Sequence, residues 1–269
     1  MNRVKLITVL AAGLFASTSA FGGAIIEIDN AISFNGGGAY GPVNIGFDVN
    51  FFGNTYSSLY VNRRGSISFN YSVTSSLAAY LGLTDTTREI IAPFHSDVNN
   101  SFFDGSPTIY GDTTYDGHLA FAASWIDVAS TDGDPSLRNS FQVVLVDRSD
   151  DFASGDFDFI FNYDSIQWND GQSYSYFGYG STGSYYGYTT DNGLDGTQLP
   201  YNSLNSDDVD GRYVFEVRNG VVTPQLPVLG AGGYNPFPTQ TIPEPETWAM
   251  LLAGLGIVGV VSRKRRAMA

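Results

Sequence analysis

Three features of the chain predict an all-β fold, an antiparallel sandwich or barrel-like single domain. Short runs alternate apolar and polar residues with a period of two, as half-buried strands do. Gly, Asn and Asp separate these runs at the spacing of tight turns. Helical periodicity is confined to the two ends and to one short piece around Ser75 to Leu83.

The elements follow in order. Arg3 and Lys5 precede an apolar run from Leu6 to Ala16, and the small residues Ser17 to Ala20 come next. This is the pattern of a secretory signal peptide, a helix occupying residues 1–23, with a cut after Ala20 or Ala24 by signal peptidase. The domain spans residues 24–219. Within it Val43, Ile45, Phe47, Val49 and Phe51 alternate with polar residues or glycine, Gly53-Asn54 makes a turn, and Leu59 and Val61 continue the pattern. Arg63-Arg64-Gly65 makes a second turn, followed by Ile67 and Phe69. Leu119, Phe121, Ala123 and Trp125 share one face of a strand; so do Phe141, Val143 and Leu145, and Phe157, Phe159, Phe161 and Tyr163. Tyr213, Phe215 and Val217 close the domain. Residues 220–241 are rich in Pro and Gly and uncharged, which is the composition of a linker. Residues 242–269 hold Ile242, Pro243, Glu244, Pro245 and Glu246, then an apolar segment, then Arg263, Lys264, Arg265 and Arg266.

Charge narrows the function. Six of the 13 basic residues lie in the terminal segments, and Glu244 and Glu246 are the only acids there. The remainder carries 25 acids against seven arginines, near −18, with no lysine. Such a surface repels phosphate, so nucleic acid is excluded as a partner. Of those acids 22 are Asp, the short carboxylate that favours turns, which places the charge in loops. The chain has no cysteine, which excludes disulfides, thiolate metal sites and Cys nucleophiles.

No catalytic constellation stands out. The two histidines, His95 and His118, lie in no nucleophile elbow, zinc-binding pair or phosphate loop. His118 follows the turn Asp116-Gly117 and reads as an exposed turn residue. His95 is close enough in sequence to Asp97 for a base-like pairing, but a structural histidine at a strand end is the plainer reading. With 22 aspartates, any two can be nominated as a glycosidase pair, so that count carries no information.

Calcium is the one cofactor the composition favours, because carboxylates and turn carbonyls are its preferred oxygen ligands. Clusters occur at Asp97 with Asp104, at Asp132 with Asp134, at Asp150, Asp151 and Asp156, and at Asp207, Asp208 and Asp210. None has EF-hand spacing: with Gly211 as the loop glycine, Ser206 takes the first ligand position and Val217 the last. The alternative is that these aspartates make solvated turns. A separate stretch from Gly171 to Tyr188 holds six tyrosines, and those facing out, with Tyr174, Tyr176 and Tyr179 as candidates, suit stacking on sugars or on a partner protein. The alternative is a pair of strands whose rings alternate between core and surface.

Two resemblances organise these observations. The C-terminal sequence, with its Pro243-Glu244-Pro245 motif, apolar segment and basic stop, resembles the PEP-CTERM tail that Gram-negative, polysaccharide-producing bacteria present to an exosortase. Its apolar run, Trp248 to Val261, has 14 residues. As a helix it spans roughly 21 Å against a hydrocarbon core of about 30 Å. That suits a transient membrane hold removed by processing better than a permanent anchor. Between Asn62 and Gly171 the order Asn62, Gly65, Pro93-Phe94-x-x-Asp97, Trp125, Asn139-Ser-Phe-Gln142, Asn162-Tyr163 and Ile166-Gln-Trp168 resembles the NIDO domain, the nidogen-like extracellular module. His95 and Asn99 depart from that family's usual residues. The resemblance implies a non-enzymatic extracellular-matrix role in cell–matrix adhesion. The expected protein is thus an exported surface, matrix or biofilm component, meeting exopolysaccharide or matrix proteins. A calcium-dependent exopolysaccharide-binding module is the alternative, and a secreted hydrolase comes third.

Overall fold

Among the described residues the alternating runs resolve into fourteen strands in two antiparallel sheets packed face to face. The computed structural model describes residues 24–34, 38–73, 89–99, 107–131, 133–169, 175–181, 184–189, 195–206 and 209–226. The signal helix, the sorting helix and the short helical piece around Ser75 to Leu83 lie outside the described residues.

The chain begins in the larger sheet with β1 (Ile32–Phe34). It then lays down four strands of the smaller sheet, β2 (Ala39–Phe51), β3 (Asn54–Asn62), β4 (Ser66–Ser68) and β5 (Ile90–His95). It returns for β6 (Val98–Asn99), β7 (Thr108–Tyr115), β8 (His118–Ser130), β9 (Asn139–Asp147) and β10 (Phe157–Ile166). The hairpin of β11 (Tyr176–Ser181) and β12 (Ser184–Thr189) completes the smaller sheet, and β13 (Arg212–Arg218) and β14 (Val221–Thr223) complete the larger. Spatial order is β1-β7-β8-β9-β10-β13-β14 in the larger sheet, with β6 on the end of β8, and β12-β11-β5-β4-β3-β2 in the smaller. Among the described residues the edges of the two sheets meet only at an isolated parallel bridge, Phe51 with Gly220, and not along a strand, so the fold is a sandwich and not a closed barrel.

The turns follow from residue chemistry. Asp116-Gly117 links Tyr115 to His118, with both residues at positive φ (54° and 85°), the geometry a two-residue hairpin needs to match strand twist. Between β2 and β3 the turn is Phe52-Gly53 (φ 52° and 84°), one residue earlier than the Gly53-Asn54 expected. Asn54 pairs with Phe51 instead, and the ring of Phe52 packs on Phe51 at 4.7 Å, which holds Phe52 in its unusual conformation. The fold also continues past residue 219, where the linker was expected. Asn219-Gly220 turns the chain into β14, and Leu226 is buried, its N–H donating to the Tyr179 hydroxyl at 3.1 Å.

The expected alternation sets the core. Phe157, Phe159, Phe161 and Tyr163 of β10 all point between the sheets, as do Phe121, Ala123 and Trp125 of β8. Phe159 stacks on Phe215 at 4.7 Å and meets Tyr179 of the opposite sheet edge-on at 5.5 Å. Leu119 has the inward parity of its strand but is 60% exposed, because it sits beside the β7–β8 turn, at the strand's outer end.

The opposite face of the larger sheet is also dry at its centre. Ala120, Ala122, Val144, Val146 and Ile160 form a second buried cluster, against which Ile26 and Ile28 pack. Residues 24–30 thus lie as a strap across this face. Gln142 pins it, donating to the Ile26 carbonyl at 2.9 Å and accepting from the Ile26 N–H at 3.1 Å, as a neighbouring strand would. Arg212 donates to the Ala24 carbonyl at 2.8 Å, and Asn30 N–H donates to the Asp112 carbonyl at 3.1 Å. The strap passes so close to β7 that a Cβ at Gly111 would lie 2.2 Å from the Asn30 carbonyl oxygen.

One glycine tests how the two halves meet. Gly65 has φ +88°, and a Cβ there would lie 2.1 Å from the Phe94 carbonyl oxygen, whereas Gly117, at φ +85°, has open space around it. Gly117→Ala should cost about 1 kcal/mol from backbone strain alone. Gly65→Ala should cost upward of about 3 kcal/mol because backbone must also move. Urea unfolding of both variants checks this, and equal midpoints would refute the close approach.

Candidate functional site

Of the ten aspartates expected to gather around calcium, four are engaged one by one. Asp97, in the bend after β5, forms an ion pair with Arg64 from the β3–β4 turn, and its carbonyl accepts from Thr131 N–H at 2.8 Å. Asp134 accepts from the Ser136 hydroxyl at 2.7 Å and from its N–H at 2.8 Å, and these bonds hold its carboxyl below the ordinary range. Asp156 is buried and closes the β9–β10 turn: its carboxylate accepts from Asn219 N–H at 2.7 Å and from Ala153 N–H at 3.3 Å. Asp151 faces Arg148 at 3.6 Å and His118 at 3.5 Å. Asp150 and Asp210 are exposed. Asp104, Asp132, Asp207 and Asp208 lie outside the described residues. Among the described residues no three His, Asp or Glu side chains converge as metal ligands.

The tyrosine hairpin is a correction. Tyr176 and Tyr179 were candidates for ligand contact, but both are 0% exposed. The Tyr176 hydroxyl donates within the hairpin, to the Tyr179 carbonyl at 2.9 Å or the Tyr186 carbonyl at 3.0 Å. Tyr179 stacks on Tyr186 at 5.5 Å, and its hydroxyl accepts from Leu226 N–H. The glycines explain the inversion. Gly178 and Gly187 pair across the hairpin, and a Cβ on either would lie 2.1 Å from a facing carbonyl oxygen. The strands therefore approach closely; Tyr179 turns into the core between the sheets, and Tyr176, of opposite parity, is buried on the other face with Val73, Ile90 and Ala92. Tyr174 lies outside the described residues.

His95 is likewise structural. It is fully buried, with Nδ1 at 2.9 Å from the Ser66 hydroxyl, in a lattice where Asn62 donates to Ser66 (3.2 Å) and Ser68 (3.1 Å). The other motif residues wire the sandwich. Trp125 donates from Nε1 to the Asn62 carbonyl at 3.2 Å, Tyr163 donates to the Pro93 carbonyl at 2.6 Å, and Asn139 receives the N–H groups of Gln167 and Trp168.

The sequence reading missed a surface cavity of about 470 Å³ on the outer face of the larger sheet. Tyr115 and Asp116 come from the end of β7, Arg148 from beyond β9, Asp158 from β10 and Arg212 from β13. Asp158 is bound by Arg148 (2.7 Å) and Arg218 (2.8 Å). Arg212 donates to Asn162 Oδ1 at 3.0 Å and to the Ala24 carbonyl, and lies 5.5 Å from the Tyr115 ring centre. The signal that pointed here was the scarcity of bases: seven arginines among 25 acids, three of them at this face.

Burial pushes the Tyr179 phenol up to about 12 and holds those of Tyr163 and Tyr176 well above their ordinary value. An unfolded tyrosine ionises near pH ~10. The neutral phenols therefore favour the fold fully below that pH, and the benefit is lost as pH rises from about 10 toward the folded values. The urea midpoint should hold between pH 7 and 9 and fall steeply from 10 to 12, with tyrosinate absorbance appearing as the protein unfolds. Tyrosinate developing fully at pH 10 in the folded protein would refute this burial.

Comparison with known proteins accords with the fold. The family described as NIDO related matches residues 15–213, and the PEP-CTERM protein-sorting motif matches residues 241–266. Alpha-tectorin of Mus musculus is 31% identical over 155 residues, covering 50% of this chain and 7% of the tectorin. Alpha-tectorin of Homo sapiens is 30% identical over the same length, with the same coverage. The chain thus spans a small fraction of the tectorins it matches. No solved structure matches it. A domain of extracellular type joined to a protein-sorting signal marks an exported surface protein. From its match over the greater part of its length, the chain belongs to the NIDO-related family.

Proposed function

We propose that the mature protein is a non-enzymatic adhesive component of the cell surface or extracellular matrix, in the biofilm of a Gram-negative bacterium, sorted there by an exosortase. The observation that carries this is the pairing, in one chain, of a NIDO-related domain with a PEP-CTERM sorting motif. The buried state of His95 and the pairing of Asp97, Asp156 and Asp158 support a scaffold rather than a catalyst, since groups spent on the fold are not available to a substrate. Exopolysaccharide or matrix proteins are the partners. Calcium, if it contributes, does so through Asp150, Asp210 and the aspartates outside the described residues.

The strap supports the earlier of the two signal-peptide cuts. Ala24 is buried and its carbonyl is held by Arg212, so a cut after Ala20 retains this contact and a cut after Ala24 removes it. At the other end, processing near Pro243, Glu244 and Pro245 releases the apolar segment and the basic residues.

Intact-mass analysis of the exported protein should give an N-terminus at Phe21 and a C-terminus close to Pro243. Replacing Pro243, Glu244 and Pro245 by alanine should leave the full tail on the chain, in the membrane fraction. The purified mature protein should be retained saturably on extracellular matrix from the producing cells. Release by EDTA would assign that retention to calcium, while absence of retention in either buffer would overturn the adhesive reading.

A further inference from the structure

The cavity on the outer face combines features that no structural role requires together. Its floor is apolar, from Val214 packed over the buried Ile160, and its walls carry guanidinium, carboxylate, amide and hydroxyl groups. A volume of about 470 Å³ falls in the range of small-ligand sites. Asp158 is neutralised by Arg148 and Arg218, so that part of the wall is internally satisfied. Arg212 is different. Among the described residues it makes no ion pair; its donors go to the neutral acceptors Asn162 Oδ1 and the Ala24 carbonyl, and its flat face lies toward Tyr115. A guanidinium that keeps its positive charge unanswered, in a region carrying 25 acids, is a site for one anionic group.

We propose that this cavity binds an acidic sugar, a hexuronate residue of a polysaccharide. Arg212 takes the carboxylate, where charge-assisted hydrogen bonds are strongest. Asp116 and Asn205 at the wall accept from and donate to ring hydroxyls, and the partly exposed Val214 of the floor meets the apolar C–H face of the ring. The same features disfavour other anions. An acidic peptide or a phosphate brings its charge without a hydroxyl-rich ring for Asp116 and Asn205 or an apolar C–H face for the floor. A single carboxylate on an otherwise neutral, hydroxyl-rich ring fits both signs of the wall.

The strap couples this site to maturation. Arg212 is aimed by the Ala24 carbonyl and Asn162, and Asn162 in turn donates to Gln142 at 2.9 Å, the residue that pins Ile26. The cavity thus takes its final form only when residues 24–30 are seated.

The ligand class rests on the matrix reading above only for where such a sugar is met; the cavity is tested separately. Titration calorimetry of the mature protein with tetragalacturonate should show binding, and maltotetraose and a glutamate tetrapeptide should bind at least tenfold more weakly. Arg212→Gln should weaken tetragalacturonate binding tenfold or more, and Arg212→Lys by less. Val209→Trp, at the cavity wall and away from the strap, should block binding with the thermal midpoint unchanged, which keeps the test valid if the Arg212 variants loosen the fold. Equal binding of maltotetraose, or tetragalacturonate binding retained in a folded Val209→Trp protein, overturns the proposal. No tetragalacturonate binding by a protein still retained on matrix overturns it and leaves the matrix reading standing. Binding without matrix retention upholds it and removes the matrix reading.

Discussion

The sandwich depends on how its two sheets are tied at one corner. There the β3–β4 turn and the end of β5 bring backbone carbonyls into a water-free interior, where an unpaired carbonyl is costly. The partners come from the opposite sheet: Trp125 reaches the Asn62 carbonyl and Tyr163 reaches the Pro93 carbonyl. These two bonds, each worth about 1 kcal/mol net and more if broken, set the separation and register of the sheets. Gly65 permits the approach, and the aromatic core of Phe94, Phe141 and Trp168 fills the space beside it. Most residues of the NIDO-related motif fall in this wiring, so the motif is a record of assembly rather than of chemistry.

The outer face of the larger sheet presents the opposite problem. Its central strands are apolar on both sides, which a two-layer fold leaves wet. The chain answers by laying residues 24–30 over Ala122, Val144 and Ile160, fixed by a side-chain amide that imitates a strand edge. The same arrangement positions Arg212 and shapes the cavity beside it.

Charge is distributed by a similar logic. The aspartates that close turns or answer arginines, such as Asp156 and Asp158, are withdrawn from any binding role by their partners. What stays exposed, as at Asp150 and Asp210, keeps the surface negative. Against that background Arg148, Arg212 and Arg218, three of the seven arginines, mark the strap-bearing face as the unusual region of the molecule.

The strands, their inward faces and most turns were legible in the sequence, because period-two alternation and Asp-Gly or Asn-Gly pairs act locally. The exclusion of cysteine chemistry followed equally from composition. Residues brought together from distant segments were not legible. Tyr176 and Tyr179 have the composition of a contact loop, yet the Gly178–Gly187 pairing draws the hairpin tight and both rings are buried, Tyr179 between the sheets and Tyr176 on the opposite face. The open edges, the strap and the cavity likewise depend on contacts spanning many tens of residues, such as Ile26 with Gln142 and Ala24 with Arg212. Local pattern determines where a strand lies and which side it buries. Only tertiary packing decides which polar groups are used up holding the fold and which are left to meet a ligand.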